Sequence, residues 1–390
     1  MTKRSFRLSS VGQVPGLPAR IAFFCAALLL TLPLAAAPNP RIGFYQWASS
    51  HGADLLTEAR GRIEATGAGL MRIYLGARFD YVHPVLSRER FRELKTVTPA
   101  AILRLPRYRA MLEDPALATL VLTAYPSMDY GAGPDDISLL RPWGAEEEKQ
   151  EYGQMFELAE MLLRDYGSLG KTVILANTEA DDKLLEIMNY TGSPELAINN
   201  LCRWQNTRYR AILDARRRYP NARTKVLNAF EISLVNLKIL RLHDHFVKHP
   251  QGTWNALADI VPKVRFDLLS YSSYESTNSP YETQNIDTPA AQTGVRLLRD
   301  LGKLREAVHT PVMIGELGVP YDRFAGLKTG GALPRLASAL DALYKARPAY
   351  VVFWQVFDAP QEGRDAVEFG LLDPRRPPPP MLRPWIAAYR

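Results

Sequence analysis

Cysteine is nearly missing from this chain: two among 390 residues. Cys25 sits inside an apolar stretch near the start, which leaves Cys202 alone in the remainder, so no intramolecular disulfide is expected and stability must come from the core. Long hydrophobic runs are missing too. The most extended, residues 21–32, is too short to span a bilayer comfortably. Histidine is scarce, at six residues. Only His51 and His83 fall near predicted strand ends, where a divalent-metal barrel would want several His, Asp and Glu. His243, Asp244, His245 and His249 fall in a predicted helix or loop, where i, i+2 positions share no face, so a solvated cluster is expected rather than a metal site. No metal and no cofactor is expected.

Other absences exclude further chemistries. No Gly-x-Ser-x-Gly elbow occurs, and Ser270, Ser272 and Ser273 have no obvious base beside them. No glycine-rich phosphate turn follows the first predicted strand, where Gly43-Phe44-Tyr45-Gln46-Trp47 stands instead, which argues against nucleotide binding. The formal charge of +7 carries little: Lys3, Arg4, Arg7 and Arg20 supply four of those charges within the first 37 residues, which hold no acid. No basic run interleaved with aromatics appears, so a nucleic-acid partner is not expected.

Those 37 residues have their own pattern. A basic beginning runs into the apolar stretch and ends at Pro33-Leu34-Ala35-Ala36-Ala37, the order of a secretory signal segment. The expected organisation is a signal peptide or signal anchor over 1–37 and one domain over 38–390, exported to the periplasm or beyond. Membrane contact is expected only through that segment, if it stays uncleaved.

From residue 41 onward, short apolar runs alternate with longer amphipathic ones. Strands are predicted at 41–47, 69–76, 119–125, 171–177, 224–230, 266–272, 311–316 and 350–357, eight in all. The clearest helical patterns lie at 53–66, 146–166, 196–219, 290–308 and 332–346. This alternation reads as βαβ units around a parallel sheet, and eight units predict a single-domain α/β (β/α)8 TIM barrel, with an open doubly wound sheet as the alternative. After the prolines at 377–380, the spacing of Leu382, Trp385, Ile386 and Tyr389 predicts a short terminal helix packed back on the barrel.

In such a barrel the strand C-termini form the working face. Polar and aromatic residues gather there: Tyr45, Gln46 and Trp47 after the first strand, Arg72 in the second, and Asn177, Thr178 and Glu179 after the fourth. Asn228 and Glu231 mark the fifth, Ser270 to Glu275 the sixth, Glu316 the seventh and Trp354 the eighth. Glu316 is the most pointed of these. It ends the run Pro311-Val312-Met313-Ile314 between two glycines, where a carboxylate must be paired or functional to tolerate its loss of water. Carboxylates ending strands four and seven face one another across an eight-stranded ring. A separation of about 5–5.5 Å suits double-displacement glycoside hydrolysis, with one acid protonating the leaving oxygen while the other attacks. The two then need different surroundings. Arg72 and Tyr271 are expected to keep Glu316 ionised, and a less polar setting to keep Glu179 protonated. Glu231 is a competing acid.

The arrangement resembles the clan A glycoside hydrolases, retaining (β/α)8 enzymes with an acid/base Glu ending strand four after an Asn and a nucleophile Glu ending strand seven. A strand-two Arg, a strand-six Tyr and a strand-eight Trp commonly complete that site. The matching positions are Asn177 and Glu179, Glu316, Arg72, Tyr271 and Trp354, over residues 41–358. The order of strand-end residues carries the resemblance, not long identical stretches, and Thr178 stands between Asn177 and the acid. The resemblance implies a glycosidase with Glu179 as acid/base and Glu316 as nucleophile, acting on a poly- or oligosaccharide. Trp354, Trp47 and Tyr45 would line the sugar subsite, with Asn177 and Asn228 among the polar contacts. An open, endo-acting cleft is favoured over an exo pocket. The alternative is a non-catalytic carbohydrate-binding barrel accessory to polysaccharide secretion or processing, whose main support is Thr178.

Overall fold

A computed structural model describes residues 37–46, 55–75, 98–124, 138–277, 289–321, 331–358 and 368–389. In chain order the elements are β1 (Asn39–Gln46), α1 (Leu55–Ala65), β2 (Ala68–Leu75), α2 (Pro99–Leu103), α3 (Pro106–Glu113), β3 (Thr119–Ala124), α4 (Ala145–Asp165), β4 (Thr172–Ala176), α5 (Ala180–Thr191) and α6 (Pro194–Arg218). They continue as β5 (Lys225–Ile232), β6 (Lys238–Leu242), β7 (His245–His249), α7 (Ala256–Asp259), β8 (Leu268–Ser272), α8 (Tyr274–Thr277), α9 (Ala290–Ala307), β9 (Val312–Leu317), α10 (Ala332–Ala346), β10 (Val351–Trp354) and α11 (Leu382–Ala388).

Eight strands close into a barrel in the order β1-β2-β3-β4-β5-β8-β9-β10, and every adjacent pair is parallel. The predicted (β/α)8 architecture is therefore the observed one, with strand ends within a few residues of those expected.

Period-two alternation divides the apolar residues into two cores. Tyr45, Leu70, Val121, Ile174, Ala176, Ala229, Leu268, Met313 and Val352 point inward and fill the barrel. Their strand neighbours, among them Phe44, Met71, Leu120, Leu175, Phe230, Leu269, Ile314 and Phe353, point outward and pack under the helices. Strands buried on both faces are why these segments read as nearly continuous apolar runs.

Two elements lie outside the β/α repeat. A hairpin, β6 paired antiparallel with β7, sits between β5 and β8. The four residues 243, 244, 245 and 249, expected in a helix or loop, belong to this hairpin: His243 takes a positive φ of 52° between the strands, and His245 and His249 lie in β7. The C-terminal helix packs as predicted. Leu382 and Ile386 are buried, and the Trp385 indole donates to the Leu340 carbonyl at 2.9 Å. The segment 1–36, including the expected signal segment, lies outside the described residues.

Candidate active site

The floor of the site is an ion pair inside the barrel. Arg72 shares the inward parity of Leu70 on β2, and no part of its side chain reaches solvent. Its guanidinium grips both oxygens of Glu231 on β5, at 2.6 and 2.9 Å. It also donates to Thr123 Oγ1 (3.0 Å), the Gly315 carbonyl (2.9 Å) and the Asn177 carbonyl (3.2 Å). The Ser270 hydroxyl donates to Glu231 at 2.8 Å, and the Tyr45 ring lies 4.4 Å from the guanidinium. Such a bidentate, fully bonded pair is the form in which a desolvated arginine is tolerated.

Gly315 belongs to this floor. A methyl group on its Cα would stand 1.9 Å from Glu231 Oε2 and 2.1 Å from Ser270 Oγ. The glycine before Glu316 is thus required by close approach of the ion pair.

Above the floor stand two further glutamates. Glu316, in β9, is buried. Its Oε1 lies 3.5 Å from Arg72 and its Oε2 accepts from the Tyr274 hydroxyl at 3.0 Å. Burial raises its pKa, Arg72 opposes that, Glu231 adds to it, and the carboxyl is pushed up to about 8. Glu179 occupies the N-cap of α5 but makes no cap bond through its side chain. Its carboxyl turns to the barrel mouth, where Ser272 donates to Oε1 at 2.6 Å. Burial, then the neighbouring Asp182, then Glu316, hold its pKa well above the usual carboxylate range, with Lys248 opposing.

Ser272 relates the two acids. It is the register partner of Glu316 across β8 and β9, so their backbones are neighbours at roughly 4.8 Å, and its hydroxyl holds Glu179. Both carboxyls therefore flank one residue at one end of the barrel. Tyr274 feels the charge of both, and burial together with those charges raises its pKa far above the ordinary phenol value. The site can present one carboxyl beside a cation and a phenol donor, and another beside an anion. Among the described residues, no three His, Cys, Asp or Glu side chains gather as a metal ion would need.

The structure brings Glu179, Glu316, Arg72, Tyr45 and Trp354 together and corrects several assignments. Tyr271 does not orient Glu316. It shares the outward parity of Leu269, and its hydroxyl meets Ser276 at 3.0 Å and Asp300 at 3.5 Å beneath the helices. Tyr274, three residues on, fills the expected role. Asn228 shares the outward parity of Phe230, is fully buried, and accepts from Gln205 of α6 at 2.6 Å, so it does not reach the mouth. Asn177 is buried, and its amide joins the ends of β4 and β5: Oδ1 accepts from the Glu231 N–H at 2.7 Å and Nδ2 donates to the Glu231 carbonyl at 3.0 Å. It clamps strands and offers nothing to a sugar.

Arg72 and Tyr45 are likewise sealed beneath the mouth, as support for the acids and not as sugar contacts. Trp354 is half-buried and meets the Tyr45 ring edge-on at 4.9 Å. Trp47 lies outside the described residues. Ser272 and Tyr274 stood in the polar run of the sixth strand end, but no role was read from the sequence for them, nor for Asp182 and Lys248. Strand parity counted from Leu268 places Ser270 and Ser272 inward and Tyr271 outward, and is the signal that finds the serines.

No protein-family model and no curated protein matches the chain. Solved structures do resemble it. GH5_18 from Streptomyces cattleya, in complex with GlcNAc, is 17% identical with a TM-score of 0.53, over 90% of this chain and 80% of that one. A β-glucosidase from Pyrococcus furiosus is 13% identical with a TM-score of 0.53, over 90% and 96%. GH5_18 from Bifidobacterium longum subsp. infantis is 14% identical with a TM-score of 0.50, over 90% and 79%. At these identities the likeness is one of architecture: this chain folds as the (β/α)8 barrel those glycosidases are built on.

Proposed function

We propose that the protein is a retaining glycoside hydrolase acting on a poly- or oligosaccharide by double displacement. The observation that carries this reading is the pair of strand-end carboxyls on either side of Ser272, held in opposite settings. Glu316 is the nucleophile in its ionised form, which Arg72 and the Tyr274 hydroxyl favour against the burial that raises its pKa to about 8. Glu179 is the acid/base: burial and the adjacent Asp182 favour its proton-bearing form. In the first step the Glu316 oxygen attacks the anomeric carbon while Glu179 protonates the departing glycosidic oxygen. In the second, Glu179 takes a proton from water, which displaces Glu316. Trp354, at the mouth, offers a ring for stacking on a sugar face.

Solved structures of the same architecture support a sugar ligand: the Streptomyces cattleya protein holds GlcNAc and the Pyrococcus furiosus protein is a β-glucosidase. Export through the residue 1–37 segment accords with an extracellular or periplasmic polysaccharide substrate.

The test is release of new reducing ends from a panel of β-linked polysaccharides by the purified chain and by Glu316→Gln. Turnover should fall by about a thousandfold or more in the variant while its circular dichroism is unchanged. Undiminished release by Glu316→Gln would end the assignment. Sugar binding without release by either protein would favour the non-catalytic carbohydrate-binding barrel.

A further inference from the structure

The hairpin of β6 and β7 is docked against α5, the helix that begins at Glu179. Phe246 N–H of β7 donates to Asn189 Oδ1 of α5 at 3.0 Å, and just beyond the hairpin Ala256 N–H donates to Asp181 at 2.7 Å. At the other end of α5 the hairpin delivers Lys248, whose ammonium is ion-paired and hydrogen-bonded with Asp182. The lysine side chain is only 15% exposed, the aspartate 47%. Asp182 is three residues after Glu179, and its N–H donates to the Glu179 carbonyl at 3.1 Å, so the two side chains share one side of the helix's first turn. Their carboxyls stand close enough to act on each other's charge.

Two carboxyls can share a hydrogen bond only if one carries a proton. The surroundings decide which. Asp182 has Lys248, the charge of Lys183 and the positive end of α5 in its favour as an anion. Glu179 has burial and the facing Glu316 of β9 against it as an anion. Lys248 of β7 also acts on Glu179 directly and opposes them, and the remaining neighbours, Ser272 of β8 and Tyr274 of α8, are neutral. Asp181 does not compete, because its carboxylate accepts from the backbone N–H groups of Ser233, Leu234 and Ala256.

We propose that Lys248 and Asp182 are positioning residues for Glu179: the lysine holds Asp182 as a carboxylate, and that carboxylate accepts the hydrogen bond of a protonated Glu179, keeping it ready to donate. This rests on the reading of Glu179 as acid/base. After Glu179 has given its proton to the leaving oxygen, two carboxylates stand side by side with one ammonium to share. Their repulsion makes Glu179 a stronger base toward the water of the second step.

The test is a carbon-13 titration of the full chain labelled at the Glu side-chain carboxyls, with the Glu179 signal assigned by its loss in Glu179→Gln. In Asp182→Asn the Glu179 midpoint should fall by about one pH unit or more, because an anion and an acceptor are replaced by a neutral amide. In Lys248→Met the Asp182 carboxyl, read in a chain labelled at the Asp side chains and assigned by its loss in Asp182→Asn, should titrate at higher pH, and Lys248→Arg should restore it. A Glu179 midpoint unmoved in Asp182→Asn, or an Asp182 midpoint unmoved in Lys248→Met, overturns the inference. Asp182→Asn alters no bulk, so it decides the matter even if Lys248→Met folds poorly. The titration needs no turnover. A chain inert on every polysaccharide yet showing the opposed displacements loses the hydrolase reading and keeps this one, and unmoved midpoints in an active chain do the reverse.

Discussion

Arg72 enters the barrel with no access to water, and a lone guanidinium there would be desolvated at a cost of several kcal/mol. Glu231 cancels that charge, and the five donors are shared among Glu231, Thr123, Gly315 and Asn177. Burial raises the Glu316 pKa most, and the arginine it meets is already engaged with another acid, so the carboxyl is held near 8 despite a cation 3.5 Å away. The same crowding fixes Gly315. Gly315→Ala should destabilise the fold by about 3 kcal/mol, read as a lower urea midpoint with an unchanged slope, because the new methyl must displace Glu231 or Ser270. Gly318 is constrained similarly: a Cβ there would lie 2.7 Å from the Phe369 ring, which packs against Tyr274. At this scale the acids and Arg72 were readable from sequence, and their other partners were not. Glu316 announces itself as a carboxylate at the end of an apolar run. Tyr271 and Tyr274 look alike in sequence, and only the alternation set by Leu268 and Leu269 turns one under the helices.

The segment 233–237, between β5 and the hairpin, is held by two buried acids from elements that also carry site residues. Asp181 of α5 accepts from the N–H groups of Ser233 and Leu234 at 2.8 and 3.0 Å. Glu275, next to Tyr274, accepts from those of Val235, Asn236 and Leu237 at 2.6, 2.9 and 3.1 Å. Glu275→Gln replaces one acceptor oxygen with a donor that faces N–H groups. Amide hydrogen exchange at 235–237 should accelerate at least about tenfold in that variant, while amides of β4 and β9 keep their protection. Unchanged exchange at 235–237 would show that Glu275 does not hold the segment. The eight barrel strands were legible because each is buried on both faces and reads as a compact apolar run. The hairpin was not. Its strands, Lys-Ile-Leu-Arg-Leu and His-Phe-Val-Lys-His, are five residues each and rich in charge, so their apolar signal is brief. The helix α5 was likewise not read: Asp181 and Asp182 suit a first turn, but the cap, Glu179, is not a residue that advertises a helix start.

For the molecule as a whole, buried acids shape the response to pH. Glu316 has a folded-state pKa near 8, above its unfolded value of roughly 4.3, so the folded chain binds this proton more tightly. Its contribution is full below the unfolded value and is lost as pH rises through the folded one. Glu179, Asp181 and Glu275 are raised as well and act in the same direction. Glu316→Gln should therefore lose less stability than the parent between about pH 5 and pH 8, and thermal melting across that range measures the difference. Parallel curves for the two proteins would show that Glu316 titrates normally.

At the far end of the chain, Asp358 just after β10 is gripped by Arg375 and Arg376, each at 2.8 Å, which ties down the stretch bearing Phe369. Asn39 in β1 donates to the Ile386 carbonyl at 3.0 Å, and β1 pairs directly with β10. The first strand to be synthesised thus waits for nearly the last. Until residues around 350 leave the ribosome, β1 keeps one unpaired edge, the kind of template other chains add to. The ring pairing that closes the barrel, and the Phe369 contact on Tyr274, then follow the synthesis of β10. A product truncated before β10 would carry both glutamates and still lack the architecture that holds them.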